Sequence, residues 1–88
     1  MRVEAVEIYS DATNAAIMRH PGRRIPGLLI QGDTLHSLCR RADEVCEAIG
    51  RSSAGFQEAN KMRNHLWELL NHYKSTLDSH GLPLPFSD

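Results

Sequence analysis

Arg19, His20, Arg23 and Arg24 crowd together on the segment His20-Pro21-Gly22-Arg23-Arg24-Ile25-Pro26-Gly27. Pro21 and Pro26 fix φ at both ends of it, so the loop is stiff. Guanidinium groups at that density suit anion recognition, because the planar fork matches the oxygens of a carboxylate or phosphate. A helix start expected a few residues later would add free N–H groups of the same preference, although Asp33 beside it opposes an anion. The bland alternative is that the arginines are solvated or pair with acids of the first strand.

The remaining reactive side chains argue against catalysis. Cys39 and Cys46 lie seven apart, about 10.5 Å along a helix, too far for a disulfide within one chain. Both fall on an apolar face, where thiols pack as small hydrophobes. Of the histidines, His20, His36, His65, His72 and His80, the pair His65 and His72 shares a helix face. They too are about 10.5 Å apart, and neither Cys-x-x-Cys nor His-Glu-x-x-His occurs, so no metal site and no cofactor is expected. Gly32-Asp33-Thr34-Leu35 is one conservative change from the GDSL block of serine esterases, but threonine replaces the nucleophile. Asp78-Ser79-His80 also lacks the Asp-x-x-His spacing that would back a nucleophile, and a helix cap explains Asp33 and Thr34 better. The chain is expected not to be an enzyme.

The elements that would position these residues follow from periodicity. Residues 2–9, 15–19 and 28–31 read as strands, with turn chemistry at Ser10-Asp11-Ala12-Thr13-Asn14. Gly32 supplies backbone freedom for the turn into a first helix, about 34–49. Its stripe is Leu35, Leu38, Cys39, Ala42, Val45, Cys46 and Ile49, and Gly50 ends it. Arg51-Ser52-Ser53 supplies the next turn and cap. A second helix, about 54–80, carries Ala59, Met62, Leu66, Leu69, Leu70, Tyr73 and Leu77, and Gly81 and Pro83 stop it. The tail, 81–88, cannot be helical. It reads as an extended arm docking Phe86 on this molecule or a partner, or as disordered. The expected fold is α+β in one domain: a two- or three-stranded antiparallel sheet packed against an antiparallel helical hairpin.

At about 1.5 Å per residue the second helix spans roughly 40 Å. A globule of 88 residues has a radius of gyration of roughly 12 Å, so the helix should overhang its core and leave Tyr73 and Leu77 short of cover. Phe56, Arg63 and Trp67 fall on the flank of the same stripe. Arg63 and Trp67 are i,i+4, which allows a cation–π contact, and such residues also make interface hot spots. Arg63, Trp67 and Tyr73 are therefore candidate partner-binding residues beside Arg19, Arg23 and Arg24.

Composition sets the frame for these readings. The chain has 88 residues, 41% hydrophobic and 24% charged, with a formal charge of −1. That charge creates no global field for nucleic acid or an anionic membrane, and neither is expected as a partner. There is no apolar run of signal-peptide or membrane-spanning length, and the cysteine usage suits a reducing cytosol.

The stretch from Asn14 to His36 resembles a small family of uncharacterised bacterial proteins. Its members share a Pro-Gly-Arg-Arg-x-Pro-Gly loop running into a Gln-Gly-Asp-Ser/Thr-Leu helix start. The resemblance implies a bacterial or phage origin, marks Arg23, Arg24 and Asp33 for testing, and carries no catalytic residue. Small bacterial proteins of this kind are often inhibitors, immunity proteins or regulators. The expected function is a protein-binding factor of that type, acting as a homodimer. The alternative is a sensor of a small anionic ligand or nucleotide phosphate that uses the arginine loop.

Overall fold

A computed structural model describes residues 1–87. The chain divides into two compact units, Met1–Gln31 and a second beginning at Gly32. The first holds strands β1 (Glu7–Ser10), β2 (Ala16–Arg19) and β3 (Gly27–Leu29); the second holds helices α1 (Gly32–Ile49) and α2 (Phe56–Ser79). A three-stranded antiparallel sheet and a helical hairpin make the fold α+β, as expected.

The sheet is a meander in the order β1-β2-β3, both pairings antiparallel. Residues 2–6 are not part of β1, which begins only at Glu7. The register explains this. Glu7 pairs with Arg19, so Val6 would need His20, where the chain already turns: Arg23 N–H donates to the His20 carbonyl at 2.9 Å. The other side of β2 stops for a related reason. Met18 pairs with Gly27, and the next partner would be Pro26, which has no N–H to give. A bulge between Ile8 and Ser10 leaves Tyr9 without an opposite number. The turn before β2 is built as expected: Ser10 Oγ accepts from Ala12 N–H, and Thr13 Oγ1 bonds both N–H and carbonyl of Ala15. No side chain of this unit is fully buried.

The helical unit has a narrow core. Cys39, Cys46 and Leu70 are buried, together with Gly32. The hairpin is antiparallel, since the start of α1 meets Tyr73 late in α2 while Asp43 reaches Arg63 and Trp67 nearer its beginning. The inward rows differ from the expected stripes. On α2, Phe56, Ala59, Arg63, Leu66, Trp67, Tyr73 and Leu77 are half-buried around Leu70, while Met62 and Leu69 are exposed. On α1, His36 and Asp43 are half-buried, and Leu38 and Val45 are exposed. Each inward face is rotated from the hydrophobic centre because polar side chains on one flank satisfy each other across the hairpin.

The helix ends also correct the expectation. Asp33 and Thr34 lie inside the first turn of α1, where the Asp33 carboxylate accepts the Thr34 N–H at 3.0 Å and complements the helix dipole. Ser52 and Ser53 do not cap α2. Gly55 does, at φ 86, in a backbone conformation natural only to glycine. Gly81, at φ 67, closes a Schellman motif: Leu82 N–H donates to the Leu77 carbonyl at 2.9 Å and Gly81 N–H to that of Asp78 at 3.1 Å. A Cβ at Gly81 meets nothing within 4 Å. Gly81→Ala therefore isolates the backbone term and is expected to cost about 1–2 kcal/mol in urea unfolding. A neutral result would mean that the αL closure contributes nothing.

Candidate functional site

The structure separates the six candidate residues into three places. Arg19 is committed at the sheet. From β2 it bonds the carboxylate of its cross-strand neighbour Glu7, and its Nη1 donates to the Arg23 carbonyl at 3.0 Å. The Glu7 carboxylate, by hydrogen bond and charge, raises the Arg19 pKa above its usual value. The arginine expected to bind a ligand thus clamps the loop that carries the other two.

That loop turns tightly. Gly22 N–H donates to His20 Nδ1 at 3.0 Å, and the 20–23 turn is closed by its own backbone bond. Arg23 and His20 line a depression of about 480 Å³ whose walls include Val6, Met18, Pro26 and Leu29. Arg24 is exposed.

Arg63 and Trp67 meet on α2 at one acid of α1. Trp67 Nε1–H donates to Asp43 Oδ1 at 3.0 Å, and Arg63 Nε lies 4.0 Å from the same oxygen. Arg63 also donates to Asn60 Oδ1. In place of the cation–π contact that i,i+4 spacing allows, both side chains converge on Asp43, a residue outside the apolar stripe of α1. One indole hydrogen bond therefore links the helices at mid-height, with a charge pair at the outer limit of contact beside it. A shallow polar depression opens there, lined by Asp43, Arg63, Trp67 and Asn71 among others.

Tyr73 belongs to a third group. The tail folds back on its own hairpin, stacking Phe86 on His36 with ring centroids 4.2 Å apart and planes 4° from parallel. Phe86 also lies 6.4 Å from the Tyr73 ring. Of the three expectations for the tail, docking on the same molecule is what the described residues show. Tyr73 and Leu77 are both half-buried.

Neither cysteine is placed for chemistry. Both are buried and free, and burial, with a smaller contribution from the Asp43 charge, pushes the Cys39 thiol up. Its thiolate is thereby disfavoured. Among the described residues no three His, Cys, Asp or Glu side chains could jointly hold a metal ion. No helix among them is long and apolar enough to cross a membrane.

A family model matches residues 1–86, nearly the whole chain. The chain belongs to a family of unknown function, DUF6959. The family relationship expected from the Asn14–His36 stretch thus extends over sheet, loop, hairpin and tail. No curated protein and no solved structure matches the chain.

The surface that periodicity missed is on the hairpin. With about 100° of rotation per residue, Leu38 and Val45 lie on the flank of α1 opposite Asp43. Met62 and Leu69 lie on the flank of α2 opposite Trp67. Because Asp43 and Trp67 touch, the two apolar flanks share the other side of the hairpin. Leu38 is 38% exposed, Val45 50%, Met62 66% and Leu69 47%. Antiparallel pairing places Leu38 level with Leu69 and Val45 level with Met62, forming a four-residue apolar strip.

Proposed function

We propose that the chain is a non-enzymatic protein-binding factor, an inhibitor or immunity-type regulator of the bacterial cytoplasm, that works as a homodimer. The observation that carries this reading is the strip of Leu38, Val45, Met62 and Leu69. Four large apolar side chains in two level rows are more than isolated surface hydrophobes, and such patches mark interaction sites. A second copy is the natural occupant. Two hairpins laid strip to strip by a twofold axis bury both at once in a four-helix arrangement. That association leaves Trp67 and Arg63 on the other side of the hairpin for a different protein, and these are residue types rich in binding energy at interfaces.

Light scattering tests the dimer. The wild-type chain is expected at twice its monomer mass, and Leu69→Glu, which places a charge in the strip, at the monomer mass with its helical circular dichroism intact. A wild-type monomer at concentrations on the order of tens of micromolar would remove the dimer from the reading.

A second reading, a sensor of a small anion at the arginine loop, is favoured by one observation. Arg23 and His20 share the rim of a depression large enough for a small molecule.

A further inference from the structure

We infer that the depression walled by the sheet and the His20–Pro26 loop binds a small amphiphilic carboxylate, an acid with an aliphatic or aromatic body and one anionic head. The inference rests on reading the loop as an anion site and deepens it by naming the ligand class. A volume of about 480 Å³ falls within the range of small-molecule sites. Its walls are of two kinds. Val6, Met18, Pro26 and Leu29 present hydrocarbon, while Arg23 and His20 present the only basic groups of the lining. An inorganic anion would leave the hydrocarbon wall wet, and a neutral apolar molecule would ignore the guanidinium. A molecule with both parts uses both.

Charge bookkeeping around the loop supports the anionic head. Among the acids of the sheet unit, Glu4 pairs with Arg2 at 2.7 Å and Glu7 with Arg19, while Asp11 lies in the β1–β2 turn, at the opposite end of those strands from the loop. His20 can supply a second donor. Its Nδ1 accepts the Gly22 N–H, so in the neutral ring the proton sits on Nε2, which becomes a donor. The loop is also ordered in advance by Arg19, which holds the Arg23 carbonyl, and by the backbone bond from Arg23 to His20. Little conformational freedom remains to be lost on binding.

The test uses the intact chain, calorimetry and amide chemical shifts, with three probes: sodium octanoate, octan-1-ol and inorganic phosphate. Octanoate is expected to bind saturably and to move the amides of Gly22, Arg23, Gly27 and Leu29. Octan-1-ol should bind about tenfold more weakly, the size of one lost charged hydrogen bond. Arg23→Ala should weaken octanoate by about the same factor and leave octan-1-ol unchanged. Arg23 offers its side chain to solvent and only its backbone to the turn, so this variant should keep the wild-type amide spectrum elsewhere. Octanoate binding no tighter than octan-1-ol overturns the proposal, as do octanoate shifts that map to the Leu38–Leu69 strip. Phosphate moving the same amides while octanoate does not would overturn the amphiphile and keep the anion site. Silence from both acids would remove the anion site as well.

Discussion

Replacing Leu70 by alanine is expected to lower the unfolding free energy of the hairpin by about 2–5 kcal/mol. Leu70 is 0% exposed and is the largest of the few fully buried side chains. Removing it discards burial energy and leaves a cavity that two helices joined by a short connection can only partly collapse. For a small domain holding roughly 5–15 kcal/mol in all, that is a large share of the total. Urea unfolding followed by helical circular dichroism should show a lower midpoint with an unchanged slope. The neighbouring Leu69→Ala is the control. The two leucines are equivalent on the apolar stripe of the sequence, but Leu69 is 47% exposed, and its truncation in the monomeric state should cost less than about 1 kcal/mol. Equal losses at the two positions would mean that α2 is rotated from the face described.

Gly32→Ala is the second large effect, and its sign separates local propensity from packing. Inside a helix, alanine is favoured over glycine by roughly 0.5–1 kcal/mol, so on local grounds the substitution stabilises. Gly32 is buried, however, and a Cβ there would lie only 2.5 Å from Tyr73 Cε1, with the phenol head closer still. The Tyr73 ring must therefore shift to admit the methyl group, and Phe86 of the tail, with ring centroids 6.4 Å apart, stands on one side of it. Overpacking of this kind costs about 1–3 kcal/mol, and a net loss is expected. A double-mutant cycle identifies the cause. In a Tyr73→Ala background the clash is gone, and Gly32→Ala should become neutral or mildly stabilising, whereas independent effects would add. A loss that persists without the tyrosine ring would point to the backbone of the helix start instead. Gly32 is thus required for close approach. It is not among the glycines at positive φ, which are Gly50, Gly55 and Gly81.

Much of the architecture was legible in the residues because it depends on local rules. Three short strands, two helices, and stops at Gly50 and Gly81 follow from side-chain period and from the backbone conformations that only glycine adopts cheaply. The arginine loop was legible for the same reason, since Pro21 and Pro26 act on their own neighbourhoods. The errors fall where a distant partner decides. β1 is shorter than its β-branched run because β2 turns away at His20. Arg19 belongs to Glu7 because cross-strand register, which the alternation of residues 2–9 left open, places them together.

The exposed apolar strip shows the limit most clearly. Periodicity determined that each helix has an apolar stripe, but a stripe is wider than the line of contact between two helices. Only the tertiary structure decided which edge turned inward. Asp43 accepts the Trp67 indole and stands beside Arg63, so a polar flank is satisfied inside the hairpin, and Leu38, Val45, Met62 and Leu69 are left outside. The tail followed the same logic. Pro83 and Pro85 excluded a helix from sequence alone, but the place of Phe86 depended on a flat imidazole, His36, brought to it by α1 from far earlier in the chain. Local conformation is a property of neighbours in sequence, whereas the face a helix buries is set by which polar groups find each other across space.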